Sequence, residues 1–403
     1  MPWTDTDPVT ERHKFILAHQ KDLFTMTELC QRFGISRKTG YKWLGRYKNG
    51  GLDALHDRSR APKHCPHRTP QPVRQIVIEA RRAHPRWGPR KLLAYLQPRH
   101  PDVSFPAPST VGDILKRAGL VPDGHKQRRR VHPGCSPITA EAPGEVWTAD
   151  FKGEFRLGSG AYCYPLTLQD AYSRMLLACR GLPSTAHDGA QAVFEQIFRT
   201  RGLPKTIRTD NGVPFASKAI CGLSRLSRWW IKLGIRHDRI EPGCPQQNGR
   251  HERMHRTLKA ETTRPPEADF PSQQNRFDHF RDQYNEVRPH QALSGATPAS
   301  RYRCSSKARC SSKARCSPKA RCSSKAMPKH VPAPNYPGHA EVRKVSSAGA
   351  IKFKAQPLFI STVLAGEYLA LEETDEGIWS LSFYDVLLGR LDESTFTLHP
   401  GTP

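Results

Sequence analysis

The central block of the chain has a strand, helix and strand pattern that constrains the fold more than any other feature. Three runs rich in aromatic and branched residues follow Glu145, namely V-W-T-A-D-F, Y-C-Y-P-L-T-L-Q-D and R-M-L-L-A-C, and this composition is typical of strands. An amphipathic helix is predicted over Ala186–Arg199, and it leads through Gly202 and Pro204 into the buried run K-T-I-R-T-D. The pattern predicts a mixed sheet covered by helices.

Further elements complete this block, which we place at residues 140–302. Helices are predicted over Leu223–Leu233, Gln246–Thr262 and Gln273–Asn285, and a short strand over Ile235–His237. A block of this length is sufficient for one enzyme core.

Three acids in the block form a candidate metal site. Asp150 and Asp210 lie in strand-like runs, and Glu252 lies in the predicted helix within N-G-R-H-E-R-M-H-R-T-L-K. Helical residues spaced by three, four and seven share a face, so Arg256 and Lys259 accompany Glu252. A metal ligand would thus stand next to two cations that can hold phosphate.

Phosphodiester cleavage in DNA is the chemistry that such a site would perform. Two divalent ions about 3.5 to 4 Å apart can activate the nucleophile, stabilise the leaving oxygen and neutralise the scissile phosphate. Mg²⁺ takes oxygen ligands, so three carboxylates suffice. Asp150 is predicted to bridge two ions, with Asp210 completing one site and Glu252 the other.

Other acids keep a structural interpretation open. Asp170, Asp188, Asp238 and Glu241 also lie near the ends of predicted elements. An aspartate at such a position usually caps a helix or faces water. Spacing alone therefore does not decide whether the three acids are catalytic.

The charge of the chain points to a polyanionic partner. Its 403 residues include 63 Lys and Arg against 37 Asp and Glu, a formal net charge of +26, which is far more than solubility requires. The net charge is +13 over residues 1–149, +8 over 150–302, +8 over 303–326 and −3 over 327–403. Nucleic acid is the predicted partner, and the last segment cannot rely on charge to hold it.

The first 60 residues have the pattern of a helix-turn-helix DNA-binding domain. Thr25 and Glu28 are spaced as a capping box, Gly34 supplies a turn, and Ser36 can cap a basic helix that extends to Tyr47. A basic, solvated helix in any small bundle has the same signature. The candidate DNA-binding residues of this recognition helix are Arg37, Lys38, Lys42 and Arg46, predicted to point away from Trp43 and Leu44.

A second module is predicted over residues 72–121. Apolar spacing indicates one helix around Val73–Ala80, another that begins near Pro89, and a third over Ser109–Ala118. The alternating run Val103–Phe105 would suit a wing strand. We interpret the module as winged helix-turn-helix-like, with a simple three-helix spacer as the alternative.

The remaining segments are two linkers and a small C-terminal domain. Residues 122–139 contain K-Q-R-R-R, whose Arg128, Arg129 and Arg130 can track DNA phosphates, although a merely solvated linker is equally consistent. Residues 303–334 begin with four tandem copies of R-C-S-S-K-A, the third with Pro318, and so short a unit buries too little surface to fold. Residues 335–403 contain short strands spaced as in a small β-barrel.

The sequence carries neither membrane nor disulfide signatures. No apolar run approaches the roughly 20 residues that a membrane-spanning helix needs, and the N-terminus lacks the profile of a signal peptide. The 11 cysteines contain no C-x-x-C pair, which argues for free thiols. We expect a cytoplasmic protein.

Four segments resemble the signature blocks of the DDE integrase-core transposases. They are T-A-D-F-K, R-T-D-N-G, P-Q-Q-N-G-R-H-E-R-M-H-R-T-L-K and N-E-V-R-P-H-Q-A-L-S-G-A-T-P-A, and the resemblance is strongest to bacterial insertion-sequence family four-eighty-one. It covers most of residues 20–302. The resemblance implies an RNase H-like catalytic fold, Mg²⁺ or Mn²⁺ as cofactor, and Asp150, Asp210 and Glu252 as catalytic acids. The R-C-S-S-K-A repeat is not expected in that family.

Together these observations predict a DNA transposase that binds terminal inverted repeats and catalyses end cleavage and strand transfer. Joining two ends implies at least a dimer on double-stranded DNA, at the bacterial nucleoid. Near the acids, Arg250, Arg256 and Lys259 are expected to bind DNA. Two alternatives are a DNA-binding repressor with an inactive core, against which the intact acids argue, and an RNase H-type nuclease. Helix-turn-helix modules favour duplex DNA over an A-form hybrid, whose major groove is too narrow for a helix.

Overall fold

The computed structural model describes residues 7–58, 68–121, 139–302 and 325–401. The chain divides into two compact units, Met1–Pro70 and Gln71–Pro403. The predicted basic linker with Arg128, Arg129 and Arg130 lies outside the described residues, as do nearly all of the R-C-S-S-K-A copies.

The first unit is a bundle of three helices built around the predicted caps. Thr25 and Glu28 form the capping box, since the Thr25 amide donates to Glu28 Oε2 at 2.9 Å and the Glu28 amide donates to Thr25 Oγ1 at 3.4 Å. Ser36 accepts from the Thr39 amide at 3.3 Å and starts the third helix. The helices are α1 (Pro8–Gln20), α2 (Met26–Arg32) and α3 (Arg37–Gly50).

Gly40 lets α3 approach the other two helices. A Cβ at this position would lie 2.8 Å from Cys30 Sγ and 3.0 Å from Phe15 Cζ. The apolar core of the unit includes Phe15, Cys30, Trp43 and Leu44. Because the contact has no room for a methyl group, Gly40 sets how α3 is seated.

Three helices open the second unit, and the predicted wing strand is wrong. They are α4 (Gln71–Ala83), α5 (Pro89–Leu96) and α6 (Pro108–Arg117). Val103–Phe105 forms no strand and pairs with none of the described strands. Phe105 packs against the apolar core of the three helices instead, and a segment without a pairing partner cannot form a strand ladder.

A mixed, helix-covered sheet follows, as predicted. β1 is central, because it pairs antiparallel with β3 and parallel with β5, which in turn pairs parallel with β6. β2 and β4 both pair with β3. The strands are β1 (Val146–Phe151), β2 (Phe155–Arg156), β3 (Tyr162–Asp170), β4 (Leu176–Leu182), β5 (Thr206–Thr209) and β6 (Arg236–Arg239).

Two helix pairs cover the two faces of this sheet. Phe194 and Trp230 join the core that includes Trp147 and Ala149 of β1, while Met254 and Phe277 belong to the second core. Alternate residues of a strand point to opposite faces, so Thr148 and Asp150 lie on the other face from Trp147. The helices are α7 (His187–Arg201), α8 (Arg225–Lys232), α9 (Gly249–Thr262) and α10 (Phe270–Asp282).

The C-terminal segment forms an open sheet, so the predicted closed barrel is not confirmed. Five antiparallel strands run in the order β13–β12–β11–β10–β7, and β8 pairs only with β9. The strands are β7 (Glu341–Lys344), β8 (Ala350–Phe353), β9 (Gln356–Phe359), β10 (Tyr368–Asp375), β11 (Ile378–Phe383), β12 (Val386–Asp392) and β13 (Thr397–Pro400).

The C-terminal segment also contacts α8 and Leu223, which precedes this helix. Leu223 and Ile231 belong to the same apolar core as the C-terminal strands. Lys232 Nζ lies 2.7 Å from Glu367 Oε1, and Arg228 donates to the Val363 carbonyl oxygen at 2.6 Å. The apolar core of the C-terminal segment is therefore shared by its own hairpin β8–β9, through Phe353, and by a helix of the block at residues 140–302.

Within the described ranges, no helix is long and apolar enough to cross a membrane.

Substituting Gly40 tests the packing of the predicted recognition helix. We expect Gly40→Ala to destabilise the first unit by about 1 to 3 kcal/mol, because the new methyl group overlaps Cys30 and Phe15. Gly45 is the matched control in the same helix, since a Cβ there meets nothing within 4 Å, and alanine should stabilise by up to about 1 kcal/mol. Amide hydrogen exchange of α3 peptides in the full chain measures both effects. Equal protection of the two variants would contradict the close packing.

Candidate active site

Strand pairing brings Asp150 and Asp210 side by side. In the parallel pair of β1 and β5, Val146 is opposite Thr206 and Thr148 is opposite Arg208, which is a constant offset of 60 positions. Continuing that offset by two residues places Asp150 next to Asp210, and neighbouring strands lie about 4.8 Å apart. Both carboxylates therefore emerge from one end of the sheet on the same face.

The turn after β5 fits closely around Asp210. The Gly212 amide donates to Asp210 Oδ1 at 3.2 Å, and the Asn211 side chain donates to the Ile240 carbonyl oxygen at 2.8 Å. A Cβ on Gly212 would lie 3.0 Å from Asp210 Oδ2. The D-N-G sequence is thus explained locally, because glycine allows the backbone to approach the carboxylate.

Helix α9 supplies the third acid and docks on β1 and β3 through polar side chains. Glu252 lies exposed in its first turn, where the helix dipole favours a negative charge. Asn248 precedes the helix and donates its Nδ2 hydrogen to Asp150 Oδ2 at 3.2 Å. His251 and His255 follow on the same helical face and are buried.

A threonine hydroxyl links both histidines to the backbone of Asp150. Thr167 Oγ1 lies 2.6 Å from His251 Nε2 and 2.7 Å from His255 Nε2, and it donates to the Asp150 carbonyl oxygen at 3.0 Å. A hydroxyl has one proton and two lone pairs, so both imidazoles donate Nε2–H to it. The Thr148 hydroxyl, 2.8 Å from His251 Nδ1, completes the bonds of that ring.

This network decides which histidine can contact a metal. The side-chain ligand atoms of Asp150, His251 and His255 all lie within 4.8 Å of one another, but both nitrogens of His251 are already bonded to threonines. Burial lowers the pKa of His251 to about 3 and that of His255 to about 2, so both rings are neutral. His255 Nδ1 then carries a lone pair 3.6 Å from Asp150 Oδ2.

The three acids are electrostatically coupled. Burial, and after it the charges of Asp210 and Glu252, raise the pKa of Asp150 to about 7, against a smaller opposing effect of Lys152. Burial also raises the pKa of Asp210. The charge of Asp150 is thus disfavoured by burial and by two neighbouring carboxylates. Together with the lone pair of His255 Nδ1, these oxygens form a group of acceptors that a cation would stabilise.

Three of the four other acids considered from the sequence have polar partners in the structure. Asp170 is buried and accepts from the amides of Ser173 and Gly144, both at 2.8 Å. Asp238 pairs with Arg208 at 2.6 Å. Asp188 pairs with His187 in the first turn of α7, and Glu241 is exposed. None of the four appears among the charges that act on Asp150.

The predicted DNA-binding residues divide between two places. Arg250, Arg256 and Lys259 are exposed on α9, and Arg37 and Lys38 are exposed on α3.

Lys42 and Arg46 do not point away from Trp43, contrary to the prediction. Lys42 Nζ lies 4.9 Å and Arg46 Cζ lies 4.7 Å from the centroid of its ring. Both cations are attracted to the face of the Trp43 ring, because the electrostatic potential of an aromatic ring is negative over its face.

Four residues near the acids had no role in the sequence interpretation. Asn248, His251 and His255 belong to the N-G-R-H-E-R-M-H run, but helical spacing shows only that they share a face, not that β1 and β3 lie against it. Lys152 lies two residues after Asp150, and its pKa is lowered by burial and by Lys259. Only the tertiary structure brings this lysine next to both the acids and α9.

Family comparisons agree with this architecture. Residues 140–245 and 233–298 match two integrase core domain families. Residues 11–63 match a helix-turn-helix domain, and residues 39–115 match a homeodomain-like domain. The chain thus carries an integrase core preceded by helix-turn-helix domains.

Relatives include bacterial insertion-element and retroviral proteins. The chain is 28% identical over 243 residues to the insertion element IS476 uncharacterized 39.2 kDa protein of Xanthomonas euvesicatoria, covering 59% of this chain and 67% of that protein. It is 25% identical over 242 residues to the insertion element IS407 uncharacterized 31.7 kDa protein of Burkholderia multivorans. This match covers 57% of this chain and 81% of that protein. Identity to the Gag-Pol polyprotein of baboon endogenous virus is 30% over 203 residues, covering 48% of this chain and 11% of the polyprotein.

Solved structures give weaker similarity. One match is the HTLV-2 integrase catalytic core domain in complex with magnesium, with 16% identity and a TM-score of 0.31. The match covers 41% of this chain and 100% of the HTLV-2 chain. Another match is a chain of the simian T-cell lymphotropic virus intasome in complex with the PP2A regulatory subunit B56 gamma, with 14% identity and a TM-score of 0.36. The match covers 77% of this chain and 97% of the intasome chain. Scores this low carry no argument about function.

Removing the Thr167 hydroxyl tests the buried network. We expect Thr167→Val to lower the free energy of unfolding by about 1 to 3 kcal/mol for each group left without a partner, because two ring N–H groups and a carbonyl oxygen lose their bonds. Thr167→Ser is the matched control and should retain most of the stability. Denaturant unfolding of the two variants measures the difference. Equal stability of the valine and serine variants would rule out the network.

Proposed function

We propose that this chain is the transposase of an insertion sequence, of the kind grouped in family four-eighty-one. One observation carries the proposal: a β1–β5 register that aligns Asp150 with Asp210 and a docked α9 that adds Glu252, within an integrase core. The helix-turn-helix domains before this core provide the means to bind duplex DNA. The enzyme would belong to the DDE transposase and integrase class.

The three acids are the residues proposed to hold the divalent cofactor. Asp150, Asp210 and Glu252 offer oxygen ligands, which suit Mg²⁺ or Mn²⁺, and their mutual repulsion gives the site an affinity for positive charge. When bound, two such ions would activate the attacking oxygen and neutralise charge on the scissile phosphate. His255 Nδ1, beside Asp150 Oδ2, offers an additional nitrogen acceptor, although the oxygen ligands are the ones that Mg²⁺ prefers.

Residues around the acids would orient them. Asn248 holds one oxygen of Asp150 through its side-chain amide, and Thr167 holds the Asp150 backbone from β3. Both contacts come from elements other than β1, so the carboxylate is restrained from two sides. Such restraint favours the fixed geometry that catalysis requires.

Exposed cations would position the DNA. Arg256 and Lys259 share the face of α9 that carries Glu252, so each can bind a phosphate beside the scissile one. On α3, Arg37 and Lys38 would contact DNA in the major groove, where a recognition helix fits. Lys42 and Arg46, held against Trp43, would contact the backbone from a more restricted position.

Two displacements at phosphorus would follow one another. Water attacks the phosphodiester at the end of the element, the bond to the 3′ oxygen breaks, and a free 3′-hydroxyl remains. That hydroxyl then attacks a phosphodiester of the target, and the 3′ oxygen of the target strand leaves. Joining both ends to one target requires at least two copies of the chain, acting on DNA in the bacterial cytoplasm at the nucleoid.

Neutralising each acid tests the assignment. We expect Asp150→Asn, Asp210→Asn and Glu252→Gln to abolish Mg²⁺- and Mn²⁺-dependent cleavage of a duplex that carries the DNA flanking the gene. Binding of that duplex should persist. Glu241→Gln is the control, because Glu241 is an exposed acid of the same unit. Mapping of labelled products separates cleavage from joining. Full cleavage by any of the three variants would reject that acid, and binding without cleavage by wild type would favour a repressor.

Metal binding provides a test that does not depend on activity. We expect Mn²⁺ to raise the melting temperature of the wild-type chain, because a ligand that binds only the folded state stabilises it by RT ln(1 + [L]/Kd). Asp150→Asn should remove most of the shift, while Glu241→Gln should keep it. Thermal unfolding with and without a chelator measures the shift. Identical shifts in both variants would place the metal elsewhere.

A further inference from the structure

A second site on α9 contains only basic and neutral residues. A cavity of about 360 Å³ opens beside Arg250, Arg253 and Thr257. The helical period places these three residues on a face of α9 away from Glu252. The cavity is therefore separate from the acids, although both use the same helix.

Five cations from four parts of the chain line this cavity, and none of its lining residues is acidic. α5 contributes Lys91, the turn after β3 contributes Arg174, and the R-P-H sequence after α10 contributes Arg288. Arg250 and Arg253 come from α9. Two carboxylates oppose the five positive charges: Glu261 pairs with Arg288 at 2.8 Å, and the charge of Asp170 acts on Arg174.

The cations destabilise one another's charge. Burial lowers the pKa of Lys91 to about 8, with Arg288 as the next contribution. Burial and then Arg250 lower the pKa of Arg174 to about 10. A folded chain that gathers like charges in a partly buried cavity has a local affinity for an anion.

The walls of the cavity are held in place. Gln169 Nε2 donates to the Arg174 carbonyl oxygen at 3.0 Å and lies 3.1 Å from the Tyr284 hydroxyl. Arg174 itself has φ +65°, a left-handed conformation in which a bulky residue is uncommon. The chain thus keeps an arginine at a position where glycine or asparagine would fit with less strain.

The N-E-V-R-P-H-Q-A-L-S-G segment forms the wall between α9 and α5. His290 packs edge to face on Tyr284 with ring centroids 4.7 Å apart. Gly295 has φ +85°, and a Cβ there would lie 3.2 Å from Ala94 Cβ on α5. This segment has no role at the acids, and its contacts bring Arg288 and Lys91 to one cavity.

We propose that this cavity binds a backbone phosphate of duplex DNA at a point away from the scissile bond. The assignment rests on the proposed function, which supplies DNA as the partner, and on charge complementarity, which requires an anion. Segments 122–138 and 303–324 of this chain are rich in Lys and Arg, so they do not match a basic cavity. Because Lys91 belongs to the helical module and the arginines to the core, one phosphate would contact both.

Salt-dependent DNA binding tests the site. The full chain is titrated with a labelled duplex of arbitrary sequence, in chelator, over a range of salt concentrations. We expect Lys91→Met to weaken binding equally for all sequences and to reduce the slope of log K against log salt by about one. The double variant Lys91→Met with Arg253→Met should weaken binding further but keep the reduction of the slope at about one, because a single phosphate occupies the cavity. Lys91→Arg should restore the wild-type slope.

The control is Lys352→Met, an exposed lysine of the C-terminal hairpin, which removes one positive charge, as Lys91→Met does, and should leave the slope unchanged. If the folded double variant has the slope of this control, the site is overturned. If inorganic phosphate stabilises the wild type but not the double variant, while the DNA slopes agree, the cavity binds a small anion and the DNA assignment is wrong.

A cross-link keeps the test decisive if the charge variants unfold. Lys91→Cys should form a disulfide by exchange with a duplex that carries a mixed disulfide tethered to one phosphate, releasing the leaving thiol, and Lys352→Cys should not. Equal cross-linking of both variants would overturn the proposal. Neither measurement needs cleavage, so an inactive core would refute the transposase assignment without affecting this result.

Discussion

The parallel pairing of β1 with β5 is the constraint on which the active site depends. A constant offset of 60 positions joins Val146 to Thr206 and Thr148 to Arg208, and the same offset joins Asp150 to Asp210. A slip of one residue would turn every side chain of a strand to the opposite face. Because Trp147 and Ile207 are buried in one core, the apolar side of the pair holds the acids on the other side.

Helix α9 makes different contacts on each of three faces. Its buried face carries His251 and His255, which attach the helix to β1 and β3 through Thr167. A second face carries Glu252, and a third carries Arg253 toward the basic cavity. The position of Glu252 relative to Asp150 is therefore set by neutral hydrogen bonds, which do not compete with the acids for a cation.

The site is electrostatically unfavourable in the absence of a cation, and the surrounding fold compensates. Asp150 is buried near two other carboxylates, and its raised pKa records that cost. The apolar cores on the two faces of the sheet, around Trp230 and Phe277, hold the strands together despite this repulsion. The basic cavity has the opposite local charge, an excess of positive over negative groups. A substrate that brings phosphate groups and their counterions would balance the charge at both places.

Local patterns in the sequence were sufficient to predict the main helices and strands of the block at residues 140–302. They also predicted the helix caps of the first unit. Thr25 and Glu28 form their capping box because the interaction spans only three residues. The wing strand at Val103–Phe105 was predicted wrongly, because a local pattern does not show whether a strand has a partner. The barrel is not confirmed, because the spacing of strands along the chain does not show whether the first and last strands pair. Lys42 and Arg46 were misplaced because a helical period does not show which cations will stack on Trp43.

The sequence by itself determined the three acids as candidates, because Asp150, Asp210 and Glu252 lie in recognisable strand and helix contexts. Tertiary structure decided that they lie together, that Thr167 and two histidines fasten α9 behind them, and that Lys91 joins Arg288 in a basic cavity. Those results depend on strand register and helix docking between residues far apart in the chain. The periodicity of a short segment predicts on which face of a helix or strand a side chain lies, but it does not predict which other element packs against that face.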